Sequence, residues 1–131
     1  MEDHEHLRPP NSEQAVILVA DDEVMMQDFV RITLEQAGFF VITADDGRIA
    51  QAISRRYPGR IDVLLTDVKM PNMGGLELSE WIAAERPDIQ IVVMSGDHIA
   101  ETITAKFSFL QKPFAPGVLC ETVKRLVPAR C

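Results

Sequence analysis

What most narrows the fold of this chain is an alternation of short apolar runs with longer amphipathic segments, beginning at Ala15 and continuing almost to the C-terminus. The runs cover residues 15–20, 39–44, 61–66, 89–95 and 107–111. Three of them are rich in Val, Ile and Leu with little alternation, the pattern of strands covered on both faces. Between the first two runs, Met26, Phe29, Val30, Leu34 and Ala37 recur at helical spacing, and Gly38 is placed to end that helix. Further helices fit 47–57, 75–86, a short stretch near 99–105, and 116–126. Five strands alternating with five helices make βα units around a parallel sheet. Right-handed crossovers with helices on both faces then leave a doubly wound α/β sheet, whose ligand site lies at the carboxyl ends of the strands.

Length and charge restrict what such a sheet can serve. With 131 residues the chain suits one domain. A formal charge of -7 repels nucleic acid and anionic lipid, so no nucleic-acid partner is expected. The longest unbroken apolar stretch, 15–20, is far below the roughly 18 residues of a membrane span, so no membrane insertion is expected either. Residues 1–13 are polar, carry Pro9 and Pro10, and read as a flexible leader ahead of a domain at 14–131. No basic region followed by an apolar segment opens the chain, so a cytoplasmic location is the default. His4 and His6 in the leader lack a third ligand nearby, and Cys120 and Cys131 have no metal spacing and read as free thiols.

The residues at the strand ends are unusual as a set. The first run ends in Ala20-Asp21-Asp22-Glu23, the third in Thr66-Asp67-Val68-Lys69-Met70-Pro71, the fourth in Ser95-Gly96 and the fifth in Lys112-Pro113-Phe114. A nucleotide-phosphate site would want a Gly-rich turn after the first strand; carboxylates stand there instead. Two unit charges about 4 Å apart repel by about 4 kcal/mol at an effective dielectric of about 20. Asp21, Asp22 and Asp67, brought to one edge, therefore require a cation. Oxygen-only ligands favour a hard ion such as Mg²⁺, pointing to a metal-assisted phosphoryl site in which Lys112 adds positive charge and Ser95 a hydrogen bond. Singly, each residue has a plainer reading: Asp22 as the cap of the first helix, Asp67 as an Asx turn. Their ordered coincidence at four strand ends is what carries the chemical reading.

These residues resemble the receiver domain of two-component response regulators. The likeness runs from about Gln14 to Val127 and is carried by ADDE at 20–23, LLTDVKMPNMGG at 64–75, MSG at 94–96 and FLQKPF at 109–114. It implies a flavodoxin-like sheet of order 2-1-3-4-5 and a phosphoacceptor switch of a two-component or phosphorelay system. Asp67 would be the phosphoacceptor, served by a sensor histidine kinase or a histidine phosphotransfer protein. Asp22 and Asp67 would bind Mg²⁺, or Mn²⁺ in its place, directly; Asp21 would act through water, and the carbonyl of Lys69 would complete the ligands. Ser95 and Phe109 would form the switch pair, and Lys112-Pro113 the family's cis peptide. Such a protein catalyses its own phosphorylation and dephosphorylation, is a monomer or transient dimer, and acts on a downstream protein effector.

Other details of the resemblance bear on packing and partners. Gly74 and Gly75 suit a loop needing positive φ, Met70 and Met73 read as packing residues, and Ile32 sits off the main stripe of the first helix, near the family's kinase-docking surface. Only sixteen residues separate Ser95 from Lys112, fewer than receivers usually have, so the fourth helix should be short or irregular. That abbreviation and FLQKPF resemble receivers of hybrid histidine kinases. Two competing functions are a degenerate receiver acting as a phosphorylation-independent binding module and a Mg²⁺-dependent aspartyl phosphohydrolase of the haloacid dehalogenase type. The second wants a general acid two residues after its nucleophile, where this chain has Lys69, and a cap domain. Flavin binding is disfavoured because the acidic first turn would repel the cofactor phosphate.

Overall fold

Strands β1 (Val16–Ala20), β2 (Phe40–Ala44), β3 (Val63–Asp67), β4 (Gln90–Ser95) and β5 (Ser108–Gln111) alternate with helices α1 (Val24–Gln36), α2 (Gly47–Arg56) and α3 (Gly75–Glu85), and α4 (Pro116–Leu126) follows β5. A computed structural model describes residues 14–97 and 106–127; the leader, the short helix expected near 99–105 and residues 128–131 lie outside the described residues. All strand pairs are parallel and the order is β2-β1-β3-β4-β5. This is the flavodoxin-like arrangement expected from the sequence.

Side-chain alternation along each strand builds two cores, one per face. Val16, Leu18, Ala20, Leu64, Ile91 and Val93 pack on one face with Ala50 and Ile53 of α2 and Leu78 and Ile82 of α3. Ile17, Val19, Val63, Leu65, Val92 and Met94 pack on the other with Val30 and Leu34 of α1 and Leu119 and Val123 of α4. Central strands covered on both sides are apolar along most of their length, which explains the runs of Val, Ile and Leu. Met73 is buried and Met70 half-buried against the first cluster, as packing residues should be.

Boundaries follow from local chemistry. Gly38, at φ 100°, ends α1 by donating its N–H to the Glu35 carbonyl at 3.0 Å, a conformation that favours glycine. β3 begins at Val63 rather than Ile61 because Asp62 spends itself on β1: its carboxylate accepts the Val16 N–H at 2.8 Å and its own N–H donates to the Val16 carbonyl at 2.8 Å. At its other end the strand includes Asp67, which pairs with Met94 of β4 and is its last residue. Arg86, just past α3, donates to the carbonyls of Ser54, Tyr57 and Gly59, so it satisfies the free end of α2.

The loop from β3 to α3 departs from expectation. Neither Gly74 nor Gly75 has positive φ; the left-handed residue is Asn72, at φ 69°. Asparagine tolerates that region because its short side chain bonds locally. The glycines serve close approach instead: a Cβ on Gly75 would overlap the Asp67 carbonyl oxygen, and one on Gly74 would crowd the Val68 carbonyl at 3.3 Å. Gly75→Ala is expected to cost about 1–3 kcal/mol of stability, as overpacking does. Gly117→Ala, in α4 with nothing within 4 Å of the added atom, should stabilise by about 0.5–1 kcal/mol. Chemical denaturation of the two variants reads the contrast, and a neutral Gly75→Ala refutes the close-approach account.

Candidate functional site

In the strand order, β1 and β3 are neighbours whose chain connections leave in opposite directions, so the carboxyl ends of these two strands border the crevice where doubly wound sheets bind ligands. The register pairs Ala20 with Thr66. Asp67, the next residue on β3, and Asp21, just past β1, therefore stand side by side at the mouth of that crevice. Asp22 joins them: one ligand oxygen from each of Asp21, Asp22 and Asp67 can be chosen so that all three lie within 4.8 Å of one another.

Backbone contacts hold this trio in place. Asp21 is fully buried and its Oδ1 accepts the Glu23 N–H at 2.9 Å. Asp67 Oδ1 accepts the Val68 N–H at 3.0 Å. The cap position of α1 is Glu23, with no side-chain capping bond, so Asp22 is not consumed as a helix cap and stays exposed at the site. Gln27, which no sequence motif marks, ties the strand ends together: its Nε2 donates to the carbonyls of Asp21 at 3.0 Å and Ala44 at 3.2 Å, and to Asp45 Oδ1 at 3.0 Å.

Lys112 enters from the far side of β4. Its N–H donates to the Ser95 carbonyl at 2.9 Å, the Lys112–Pro113 peptide is cis, and its Nζ lies 3.4 Å from Asp21 Oδ2 and 3.3 Å from Asp67 Oδ1. One ammonium thus bridges two carboxylates, with its side chain only 16% exposed. Burial pushes the Asp21 carboxyl above its ordinary range, and the adjacent Asp67 charge adds to this, while the Glu23 N–H and Lys112 oppose it. For Lys112, burial favours the neutral form, but the charges of Asp21 and Asp67 outweigh it and hold the ammonium above its ordinary value.

The remaining expected residues line the same edge. Ser95 is buried at the end of β4, and its Oγ accepts the Asp97 N–H at 3.0 Å. Phe109 is half-buried and registers with Val93, so strand alternation puts Ser95 and Phe109 on the α2/α3 face of the sheet. Lys69 turns its side chain outward to Asp97, with Nζ 2.7 Å from Oδ2. Both side chains are exposed and water screens the pair, so it is no strong anchor. The Lys69 side chain is thus engaged by Asp97 rather than by the acidic trio.

An all-oxygen donor set around a fully buried carboxylate fits a hard divalent cation. With Lys112 supplying positive charge, the arrangement can bind an oxyanion next to a carboxylate nucleophile.

The family model of the response regulator receiver domain matches residues 17–124. Sensor kinase CckA of Brucella abortus is 35% identical over 117 residues, which are 86% of this chain and 12% of that protein. Among solved structures, chemotaxis protein CheY4 of Vibrio cholerae superposes with a TM-score of 0.79 at 30% identity, covering 87% of this chain and 99% of that one. Response regulator TrrA of Thermotoga maritima, solved in complex with Mg²⁺-BeF, superposes with a TM-score of 0.76 at 26% identity, covering 87% and 100%. This chain spans between 12% and 27% of the length of the first three curated relatives. Among the described residues, no helix is long and apolar enough to cross a membrane.

Proposed function

The chain belongs to the response regulator receiver domain family, and from that premise we propose that it is a phosphoacceptor switch, taking a phosphoryl group from a phosphohistidine onto Asp67. The observation that carries this reading is the bridging of Asp21 and Asp67 by Lys112 beside the exposed Asp22, at the sheet's switch point. Residues 14–131 form the receiver in this reading. A sensor histidine kinase or a histidine phosphotransfer protein donates the phosphoryl group, which the likeness to sensor kinase CckA supports. Ile32, 45% exposed on α1, is available as a contact for such a partner. A downstream protein reads the phosphorylated form, and the setting is cytoplasmic.

In the transfer, a carboxylate oxygen of Asp67 attacks phosphorus, the phosphorus–nitrogen bond to the donor imidazole breaks, and the imidazole leaves with that electron pair and takes up a proton. Asp21, Asp22, Asp67 and the Lys69 carbonyl would hold Mg²⁺, or Mn²⁺, which when bound supplies positive charge against the phosphoryl oxygens. The Mg²⁺-BeF complex of the related TrrA supports that assignment. Lys112 then exchanges part of its contact with the carboxylates for a phosphoryl oxygen, fixed in position by its N–H bond to Ser95. Ser95 gives up the Asp97 N–H and donates its hydroxyl to the phosphoryl group, and Phe109, on the same face, turns into the space behind it. Phosphorylation thereby biases an equilibrium between two packings. Attack of water on the aspartyl phosphate later returns Asp67 and inorganic phosphate.

Incubation with acetyl phosphate and Mg²⁺, followed by intact mass measurement, should add a single phosphoryl group, and chelation of the metal should prevent it. A chain that stays unmodified overturns this reading and leaves a phosphorylation-independent binding module.

A further inference from the structure

We propose that Asp46 is a positioning residue for the metal-binding edge, acting through Asn72; this rests on the function proposed above. The loop 68–74 joins the acceptor Asp67 to α3 and contains Lys69, whose carbonyl would be the one backbone ligand. Its base is closed by the Gly75 N–H, which donates to the Val68 carbonyl at 2.8 Å. Its apex is held from another element: Asn72, in the left-handed conformation at φ 69°, donates its side-chain amide to Asp46 Oδ2 at 2.7 Å.

Asp46 is suited to this by having both oxygens committed. It lies at the cap of α2, 7% exposed, where Oδ1 accepts the Ile49 N–H at 2.9 Å while Oδ2 faces the loop. The same carboxylate therefore fixes a helix end and a loop apex in one frame. Gly47 completes the joint, because a Cβ there would overlap the Met73 carbonyl oxygen. α2 is thus pressed against the residue after Asn72, and the loop can neither swing outward without losing the Asp46 bond nor move inward past Gly47. Only two residues, Met70 and Pro71, separate Asn72 from Lys69, so a loop held at its apex holds the Lys69 carbonyl at a defined place beside Asp67. Partners beyond the ligands that orient them commonly govern metal affinity in this way.

Two variants cut the clamp without removing the fold's own requirements. Asp46→Ser keeps a good helix cap but is too short to reach Asn72. Asn72→Gly keeps the left-handed backbone but has no amide to donate. In both, Mg²⁺ is expected to bind about tenfold more weakly, measured by the metal-dependent shift in thermal midpoint. Phosphorylation by acetyl phosphate should slow at low Mg²⁺ yet return to within about twofold of the wild type at saturating Mg²⁺, separating binding from chemistry. In the metal-free protein, hydrogen exchange at the Met73 and Gly75 amides should quicken while the α2 amides keep their protection. Wild-type Mg²⁺ affinity in the variants, or unchanged exchange in the loop, overturns the assignment. Failure of the wild type itself to bind Mg²⁺ overturns the proposed metal site, and that outcome is visible before any variant is made.

Discussion

Asp67→Asn is expected to take up no detectable phosphoryl group from acetyl phosphate and Mg²⁺, a loss of at least about a thousandfold in rate. The amide is nearly the same size as the carboxylate, and its oxygen can still accept the Val68 N–H. What it lacks is the anionic oxygen that attacks phosphorus. The neighbouring carboxylates are poor replacements. Asp21 is fully buried, with one oxygen tied to the Glu23 N–H and the other facing Lys112. Asp22 is exposed in the turn after β1, off the end of the strand that aims Asp67. Loss of activity through unfolding is separable, because the Asp67 charge raises the Asp21 carboxyl and its removal relieves that repulsion. The metal-free variant should melt no lower than the wild type. Phosphorylation of Asp67→Asn at a wild-type rate moves the acceptor elsewhere and defeats the proposed role of Asp67.

Much of this fold and site is legible in the sequence, for a physical reason that also marks the limit. The five runs are legible because strands covered on both faces are largely apolar, and the handedness of βα units gives a doubly wound sheet, while its order 2-1-3-4-5 came from the receiver resemblance. Asp21, Asp22, Asp67, Ser95 and Lys112 are legible because a doubly wound sheet places its strand ends at one edge, so position in the chain becomes position in space. Contacts between elements that are distant in sequence have no such rule. The Asp46–Asn72 bond joins residues 26 apart on separate loops, and neither Asp46 nor Asn72 stands out in the sequence pattern. The assignment of positive φ to Gly74 and Gly75 failed for a related reason. Glycine serves both left-handed backbone and close approach, and which one applies depends on the Asp67 carbonyl standing against Gly75. Likewise the Lys69 side chain, next to an acidic site, turns away to Asp97, which follows a different strand.

Lys112→Met should move metal affinity and chemistry in opposite directions. In the metal-free protein the ammonium lies 3.4 Å from Asp21 Oδ2 and 3.3 Å from Asp67 Oδ1, so it neutralises the carboxylates that a cation would also use. At about 4 Å and an effective dielectric of about 20, one unit charge is worth about 4 kcal/mol, and even a third of that after screening is about a tenfold change in affinity. Mg²⁺ should therefore bind the variant at least about tenfold more tightly. Phosphorylation at saturating Mg²⁺ should nevertheless fall by about a hundredfold, because a fixed donor to the phosphoryl oxygens is gone. Stability carries a third signature. The folded carboxyl of Asp21 titrates above its unfolded value of 3.8, so its contribution to stability is complete below that pH and is lost as pH rises through the folded value. Without Lys112 that folded value rises further, since the ammonium is one of the groups that lower it. Wild type and variant should be closest in stability in acid, and diverge by about 1–3 kcal/mol toward neutral pH as Asp21 ionises without its partner. Chemical denaturation across that range, set beside Mg²⁺ titration and phosphorylation rates, measures all three. Weaker Mg²⁺ binding in Lys112→Met would show that the lysine supports the metal rather than competing with it, and the bridging account would fall.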